Sequence, residues 1–490
     1  MTILIKNIQL IDGTGKATRK TDLIIKGKKI AAIGEFGRYK AHQTIDGMGA
    51  YLCPGFIDIH TTADRYLNIF SDPSQKDLLL SGVTTIIGGQ DGISLAPLLY
   101  GSLQFIKEWT DTKKINVNWH TVKEFLKILE KRPIGVNFGT LAGYKTIRRS
   151  LIGSDRRELT KNEQKVFKLI IERSLREGAF GISVGAEYFD LYESSHEEIK
   201  NILQLISKSK ALYATKLHAE GEKQIPFVNK LINLTEESGA KIILSHLEPV
   251  KTAPDYEKIV DLISQNSSRA DIYFDAYPTD YSVFSVSKLL PDWLKKSGKE
   301  KILESIGNEE MKKKILKDLP RLKGSEISII SAPGYDYLEG KTLEEYCANR
   351  ELAISKGLLN LIETTKGRVI VSRKNINFKK VLKTIINDRA IIASADNHFK
   401  ESPQTTFIKF LELLAANKIL PVEIIVSKMT YLPAQRLGLK NRGVMKVGNF
   451  ADILIFRDGE IKEVLVNGKR AVKDGQFEDI RGGEVLKHSL

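Results

Sequence analysis

Three histidines and two aspartates each stand directly after a short apolar run, and this repeated placement is the main chemical signal in the chain. The residues in that position are His60, Asp91, His218, His246 and Asp396. If each run is a barrel strand, the groups that follow the strands project into the same mouth. Imidazole nitrogens and carboxylate oxygens are ligands that zinc accepts, and a catalytic zinc keeps one position for water. The set therefore predicts a metal site, although any one of these histidines alone could equally be a core residue with a satisfied hydrogen bond.

The first of these runs follows a Pro-Gly pair and alternates regularly. Phe56, Asp58 and His60 alternate with Ile57 and Ile59. Alternation with a period of two predicts a strand whose two faces differ. The strand would present the His60 imidazole at its carboxyl end.

Strand-like and helix-like stretches alternate along the middle of the chain, which predicts an α/β fold with a parallel sheet or barrel. The strands are predicted at residues 56–60, 83–87, 178–184, 212–218, 240–246, 272–277, 369–372 and 390–394. Helices are predicted at residues 162–177, 196–207, 225–238, 407–417 and 421–430. Residues 283–348 break this pattern with lysine-rich helices that prolines interrupt.

Both ends of the chain read as short strands joined by turns, which indicates one small β-sandwich built from the two termini. The first part is predicted at residues 1–54 and the second part at residues 436–490, so that residues 55–435 form the α/β unit. The charged segment 481–490 is predicted to be a loose tail.

Bulk composition narrows the functional class. The 490 residues carry a net charge of +15, yet the lysines are scattered among acids and no nucleic-acid motif is found, so a solvated lysine-rich exterior is favoured over a nucleic-acid surface. Two cysteines are too few for a disulfide framework or a cysteine-rich zinc site. No apolar run approaches the length of a membrane span, and the N-terminus lacks the pattern of a secretory signal. A cytoplasmic enzyme fits these features.

Motifs spread over nearly the whole chain resemble the amidohydrolase superfamily, and more narrowly its D-aminoacylase (N-acyl-D-amino-acid deacylase) branch. The matching stretches include PGFIDIHTTAD from Pro54, GVTTIIGGQDG from Gly82, GAFGIS from Gly178, Ser245-His246, Ser394-Ala395-Asp396, PAQRLGL from Pro433 and VGNFADI from Val447. The resemblance implies a TIM (β/α)8 barrel with a small β-sandwich built from both termini. It also implies that residues 283–348 are a lid-like insertion that shapes substrate access.

The resemblance assigns roles to the candidate ligands and exposes departures from the family pattern. His60 matches the first histidine of HxH, whereas Thr62 replaces the second, and Asp91 stands where the family carries a bridging cysteine. Where the family has a histidine and then an arginine two residues later, this chain has Lys216 and His218. Because residues two apart share a strand face, His218 could take over the ligand role.

One divalent ion, most simply zinc, is expected at the ligands Asp91, His218 and His246, with His60 belonging to a second position that has lost an imidazole. Asp396 is the expected general base and acid, which takes a proton from the attacking water and delivers it to the leaving amine. The substrate-side residues are expected to be Lys216, Glu248, Tyr277 and Gln404, and they depart from the family pattern at several positions.

These features predict a metal-dependent hydrolase that cleaves a linear amide in a small-molecule substrate, without a nucleic-acid or membrane partner. Two alternatives stay open. One is a catalytically inactive relative that binds a ligand or partner, and the other is a cyclic-amide hydrolase or deaminase on the same barrel. The sequence does not determine the acyl group, the stereochemistry or the oligomeric state.

Overall fold

The computed structural model of the protein describes most of the chain. The described residues are 1–100, 103, 115–153, 157–185, 196–217, 223–250, 255–277, 279–295, 297–394 and 406–489. Within them, no helix is both long enough and apolar enough to cross a bilayer.

Secondary structure follows the chain in four stretches. The first holds β1 (Thr2–Leu10), β2 (Arg19–Lys26), β3 (Lys29–Gly34), β4 (Gln43–Asp46) and β5 (Tyr51–Pro54). The second holds β6 (Phe56–Asp58), α1 (Asn68–Ser71), α2 (Lys76–Leu80), β7 (Val83–Gly88), α3 (Val122–Glu130), β8 (Asn137–Thr140), β9 (Ala142–Gly143), α4 (Tyr144–Ile152), α5 (Lys161–Arg176), β10 (Gly181–Val184), α6 (His196–Lys208), β11 (Leu212–Thr215), α7 (Gln224–Ser238), β12 (Lys241–Leu244), α8 (Tyr256–Gln265) and β13 (Ile272–Ala276). The third holds β14 (Tyr281–Ser285), α9 (Asp292–Lys295), α10 (Lys299–Gly307), α11 (Glu309–Asp318), β15 (Ile327–Ser331), α12 (Leu343–Ala348), α13 (Ile354–Thr364) and β16 (Ile370–Lys374). The fourth holds α14 (Phe378–Thr384), β17 (Ala390–Ile392), α15 (Thr406–Ala416), α16 (Val422–Met429), α17 (Tyr431–Leu437), β18 (Ile453–Arg457), β19 (Glu460–Val466), β20 (Lys469–Lys473) and β21 (Gln476–Phe477).

The helices of the second stretch form where capping and apolar spacing agree. α5 begins after Thr160, whose side chain accepts a hydrogen bond from the backbone N–H of Glu163 while the Glu163 carboxylate accepts one from Thr160. This reciprocal pair satisfies two backbone donors that the first turn would otherwise leave without partners. Phe167, Ile171 and Leu175 repeat every four residues and are buried, so one face of α5 packs on the core.

Strands from both termini share one nine-stranded sheet, in the order β21-β20-β19-β18-β5-β1-β2-β3 with β4 beside β1. Its core contains apolar side chains from each end of the chain, such as Ile5, Leu23, Ile453 and Leu465. The N-terminal and C-terminal segments are therefore parts of one unit.

Two parallel sheets form the centre of the α/β part. One has the order β6-β7-β8, and the other has the order β17-β13-β12-β11-β10-β9. Because all of these strands are parallel within their sheets, polar residues that follow them lie along one edge of each sheet. The functional site described below lies at that edge.

The prediction that residues 369–372 form a strand of the parallel sheet was wrong. β16 pairs antiparallel with both β14 and β15 in a separate three-stranded sheet. This sheet and its helices have a hydrophobic core of their own, which includes Leu290, Ile315, Ile329 and Val371. Among the strands of the parallel sheets that were missed, β8 lies parallel to β7. Its sequence, Asn-Phe-Gly-Thr, lacks the β-branched run that marks a buried strand.

The prediction that residues 481–490 form a loose tail was also wrong for the described residues up to 489. The backbone N–H of Phe138 donates to the carbonyl of Glu484, and the N–H of Leu486 donates to the carbonyl of Phe138. The N–H of His488 donates to the carbonyl of Gly178. The segment thus pairs with β8, because charged side chains do not prevent a backbone from hydrogen bonding.

A buried polar network joins the terminal sheet to β8. The guanidinium of Arg442 donates to the Asp452 carboxylate and to Asn467 Oδ1, the latter at 2.9 Å. Asn137 Nδ2 donates to the same Asp452 carboxylate at 3.1 Å, and its own Oδ1 accepts from Asn467 Nδ2 at 2.8 Å. Arg442 and Asp452 are about 5% exposed, so neither charge is solvated by bulk water.

We predict that Arg442→Met lowers the free energy of unfolding by about 3–5 kcal/mol, because it leaves the Asp452 carboxylate buried without its cation. Urea denaturation followed by circular dichroism measures the change. The matched control is Lys462→Met, which removes an exposed pair with Glu460 and should cost less than about 1 kcal/mol. Equal effects of the two substitutions would contradict the role given to Arg442.

A second buried cation stabilises the start of β17. Lys428 on α16 is 2% exposed and donates from Nζ to the carbonyls of Asn387 at 2.6 Å and Ala390 at 3.3 Å. Burial lowers the pKa of Lys428 to about 8. Since β17 leads into the segment that carries Asp396, this contact supports the site from the opposite end of the strand.

We predict a pH-dependent contribution of Lys428 to stability. Its pKa is lower in the folded chain than the value of about 10.4 expected when unfolded, so the unfolded state binds more protons between these values and stability rises with pH there. The free energy of unfolding of the wild type, relative to that of Lys428→Met, should therefore increase from about pH 8 to about pH 10. Lys418→Met, at an exposed position, is the control. A constant difference across this range would refute the prediction.

Candidate metal and catalytic site

Four parallel strands bring acidic and imidazole side chains to one place. His60 lies two residues beyond β6, Asp91 three residues beyond β7 and His246 two residues beyond β12, while Asp275 is the fourth residue of β13. The strands belong to two different sheets, yet the rings of His60 and His246 stack with their centroids 3.7 Å apart. The carboxyl edges of the two sheets therefore meet at these residues.

His60, His246 and Asp275 form a compact buried cluster. One ligand-type atom from each residue lies within 4.8 Å of the others. His60 Nδ1 is 3.7 Å from Asp275 Oδ2, and His246 Nε2 is 3.9 Å from Asp275 Oδ1. All three side chains are at most 3% exposed. These separations are too long for hydrogen bonds and leave several donor atoms facing one point.

Asp91 extends the cluster on the other side of His60. Its Oδ1 is 3.6 Å from His60 Nε2, and its Oδ2 accepts from Arg65 Nη2 at 2.8 Å and lies 3.0 Å from Lys216 Nζ. Arg65 Nη2 also donates to the carbonyl of Gln90 at 3.1 Å. One oxygen of Asp91 thus faces an imidazole, while the other is bound by two cations.

Asp275 was not among the predicted site residues, although it binds the backbone of His246. Its Oδ1 accepts the backbone N–H of His246 at 2.7 Å, and its carbonyl accepts the N–H of Leu247 at 3.1 Å. The period-two rule could have found it, because Asp275 shares a strand face with Tyr277, which was predicted to bind substrate. It was missed because it lies inside an apolar strand rather than after one.

Two of the site residues have a left-handed backbone conformation. Asp91 has φ 56° and His246 has φ 47°, both in the left-handed region that non-glycine residues rarely adopt. Such conformations persist where surrounding contacts hold them. For His246 the bond to Asp275 is such a contact.

The turn between β7 and Asp91 needs glycine for steric reasons. A Cβ on Gly89, where φ is 73°, would lie 2.1 Å from the carbonyl oxygen of Leu141. A Cβ on Gly88 would lie 2.7 Å from the Asp64 carboxylate carbon. Asp64 accepts the N–H of Gly89 at 2.7 Å, so this close approach fixes the turn that carries Asp91.

The acidic and basic side chains of the cluster shift one another's pKa values. Burial by itself lowers the pKa of His60, but the Asp91 and Asp275 carboxylates outweigh it and raise that pKa to about 9. Burial acts to raise the pKa of Asp91, while Lys216, Arg65 and His60 hold it well below its ordinary value. The pKa of Asp275 is likewise lowered, because His60 and His246 outweigh the effect of burial. Both carboxylates are therefore anions, and they face the His60 ring from opposite sides.

Two of the expected substrate-side residues contact each other beside His246. The Tyr277 hydroxyl donates to Glu248 Oε1 at 2.5 Å, and the Tyr277 ring lies 4.5 Å from the His246 ring, between centroids. Tyr277 is 6% exposed and Glu248 is partly exposed. This pair borders the cluster on its β12–β13 side.

The segment that leads to Asp396 is anchored next to His60. Ser394 donates to Asp58 twice, from its backbone N–H to Oδ1 at 3.1 Å and from its hydroxyl to Oδ2 at 2.5 Å. Asp58 also accepts the N–H of His60 at 3.1 Å. Burial raises the pKa of Asp58 to about 6 even though these donors oppose the shift. One carboxylate thereby ties the end of β17 to the end of β6.

The structure brings His60, Asp91, His246 and Lys216 together, with Asp275 and Arg65 as additional members. His60 and His246 belong to one cluster, and their expected division between two metal positions stays a prediction. His218, Asp396 and Gln404 lie outside the described residues, so their expected roles stay predictions. Thr62 is 1% exposed and lies next to this cluster in sequence.

Comparison with known proteins gives matches that extend over the whole chain. No family model matches it. A D-aminoacylase of Alcaligenes xylosoxydans xylosoxydans is 27% identical over 510 aligned residues, which cover 99% of this chain and 97% of the relative. The chain is therefore similar to this relative from end to end and not only in its motifs.

Solved structures share the fold. A D-aminoacylase structure, determined to study the role of a binuclear metal centre, matches with a TM-score of 0.82 at 24% identity and covers 99% of each chain. An N-acyl-D-glutamate deacylase of Bordetella bronchiseptica, complexed with zinc and a phosphonate inhibitor, matches with a TM-score of 0.80 at 20% identity and the same coverage. These matches confirm an α/β fold. The full-length sequence match confirms the similarity of this chain to D-aminoacylases.

Proposed function

We propose that this protein is a metal-dependent hydrolase of linear amides that removes the acyl group from N-acyl-D-amino acids. The observation that carries the proposal is the buried cluster of His60, His246 and Asp275 at the carboxyl ends of parallel strands. Its position corresponds to the place where strand ends assemble active sites in α/β enzymes. The full-length similarity to a D-aminoacylase supports the choice of substrate class.

The residues of the cluster fit a divalent ion. Within the described part of the chain, neither ring nitrogen of His60 has a hydrogen-bond partner, and the same holds for Asp91 Oδ1 and Asp275 Oδ2. Buried polar atoms are otherwise satisfied in nearly all proteins, so these atoms need a ligand. Zinc accepts imidazole nitrogen and carboxylate oxygen at about 2.0–2.2 Å, which places neighbouring ligands about 3.4 Å apart. His60 Nδ1 and Asp275 Oδ2 are 3.7 Å apart and His246 Nε2 and Asp275 Oδ1 are 3.9 Å apart, within a few tenths of an ångström of that value.

We propose that His60, His246 and Asp275 hold one zinc ion, with the Asp91 carboxylate on the other side of the His60 ring. The set expected from the sequence was Asp91, His218 and His246, so the proposed set keeps His246, adds His60 and Asp275, and does not include Asp91 or His218. When bound, zinc would lower the pKa of a water molecule toward neutrality and polarise the scissile carbonyl. The two buried carboxylates would balance the charge of the ion, which a buried charge requires.

The remaining steps fall to side chains of the chain itself. Asp396 would accept a proton from the attacking water and later give it to the leaving amine. The Asp58–Ser394 bonds support this role, because they hold the residue two positions before Asp396 beside His60. Glu248, Tyr277 and Gln404 would contact substrate. Tyr277 is held for this purpose by its bond to Glu248.

We further propose that the two parallel sheets close into a (β/α)8 barrel. Eight strands would form it: β6, β7, β8, β10, β11, β12, β13 and β17. The Ser394–Asp58 bonds support closure between β17 and β6. The hydrogen bond from Phe180 N–H to the carbonyl of Thr140, at 2.9 Å, supports closure between β8 and β10. In this proposal the terminal sheet is the small β-sandwich domain, the segment from β14 to β16 covers the active-site mouth, and the enzyme is cytoplasmic.

We predict that Asp275→Asn weakens zinc binding at least about 10-fold, because it removes a ligand charge and loosens the turn of His246. Competition with a chelator, followed by metal analysis of the desalted protein, measures the loss. Asp280→Asn is the matched control, since Asp280 follows the same strand but pairs with Lys374. Zinc affinity that is unchanged in Asp275→Asn, with a normal thermal melt, would contradict the ligand assignment.

We predict that metal-free protein is inactive and that zinc, cobalt or manganese restores hydrolysis of N-acyl-D-amino acids.

Asp396→Asn should reduce kcat by about 100-fold or more while zinc content stays unchanged, as expected for loss of a general base. Release of the free amino acid is the measurement, with N-acyl-L-amino acids and hydantoins as comparison substrates. Turnover of hydantoins alone would favour the cyclic-amide alternative. A metal-loaded protein that hydrolyses none of these compounds would favour the inactive binding protein.

A further inference from the structure

Two cationic side chains contact the same oxygen of Asp91, Oδ2. Arg65 Nη2 and Lys216 Nζ lie 2.8 Å and 3.0 Å from Asp91 Oδ2, on the side of the carboxylate that points away from His60. The Arg65 side chain is 7% exposed, whereas that of Lys216 is 26% exposed. The carboxylate therefore joins a metal-ligand cluster on one side to a pair of cations on the other.

We propose that Lys216 and Arg65 limit this site to a single metal ion. Their positively charged side chains occupy the place beside Asp91 where a second ion would bind. This inference rests on the proposed metal-dependent function and adds to it the number of ions and the residue that sets that number. It also gives Lys216 a positioning role, since its charge acts on Asp91.

The geometry supports this role in two ways. A carboxylate that bridges two metal ions with one oxygen on each needs both oxygens free, and Asp91 Oδ2 already binds an ammonium and a guanidinium. A second dication at that oxygen would also stand within a few ångströms of both cations, and like charges repel strongly where water is scarce. Two-metal sites place their ions about 3.5–4 Å apart, so a second ion would need a ligand oxygen close to the first ion, and Asp91 Oδ2 is taken by the two cations.

Lys216 and Arg65 differ in what their removal would do. Arg65 is buried and also donates to the carbonyl of Gln90, so its loss would disturb the turn that carries Asp91. Lys216 directly follows β11 and has a flexible side chain that reaches Asp91 from the more exposed side. Replacement of Lys216 is therefore the change that frees the position with the least effect on the fold.

The test is the number of zinc ions bound by the full-length protein. Metal-free wild type is titrated with zinc, passed through a desalting column and analysed for metal, in parallel with Lys216→His and Lys216→Arg. We expect one equivalent for the wild type and for Lys216→Arg, which keeps the charge. We expect two equivalents for Lys216→His, which replaces the cation by a ligand. Adding Asp91→Asn to Lys216→His should return the number to one.

Cobalt provides a second readout in case Lys216→His folds poorly. Lys216→Gln removes the charge without adding a ligand, and it should bind a second cobalt ion at least 10-fold more tightly than the wild type does. Magnetic coupling between the two cobalt ions in electron paramagnetic resonance would show that they are neighbours.

The possible outcomes separate the two proposals. A wild type that binds two zinc ions would overturn the inference about Lys216 and leave the proposed function standing. One equivalent in Lys216→His, with no gain of cobalt affinity in Lys216→Gln, would overturn it as well. A wild type that binds no metal even after reconstitution would overturn the proposed function itself.

Discussion

A carboxylate buried between two imidazoles is the interaction on which the site depends. Asp275 faces His60 with one oxygen and His246 with the other, and the second oxygen also accepts the backbone N–H of His246. The side chains of His60, His246 and Asp275 have little access to water, and an isolated charge on any of them would be unfavourable. Opposite charges on neighbouring groups or a bound cation must therefore balance them. The same carboxylate connects the two parallel sheets, because His60 follows a strand of one and Asp275 lies in the other.

The residues of the site lie at the carboxyl ends of the parallel strands, and contacts that stabilise the strands lie at the opposite ends. At the carboxyl ends lie the left-handed residues Asp91 and His246 and the close contacts of Gly88 and Gly89. At the opposite end, Lys428 binds the carbonyls at the start of β17, and the C-terminal segment pairs with β8. A well-satisfied framework at one end can hold strained residues at the other, which is how many enzymes arrange their active sites.

Much of this architecture could be predicted from the sequence, because apolar periodicity determines which strands are buried. His60, Asp91 and His246 could be predicted as site residues for the same reason, since each follows such a run. Asp275 was not, because a carboxylate within an apolar strand has no local signal that distinguishes function from a buried hydrogen bond. The place of residues 369–372 could not be predicted either, since an apolar strand fits a parallel or an antiparallel sheet and only its partners decide. Residues 481–489 were misjudged because their pairing uses backbone groups, which composition does not reveal.

The most direct measurement is anomalous diffraction at the zinc absorption edge, from crystals of the protein loaded with one equivalent of zinc. We expect a single anomalous peak within bonding distance of His60, His246 and Asp275, about 2.0–2.2 Å from each ligand atom. A peak bound by other residues, with Asp275 left out of contact, would contradict the central role of this carboxylate.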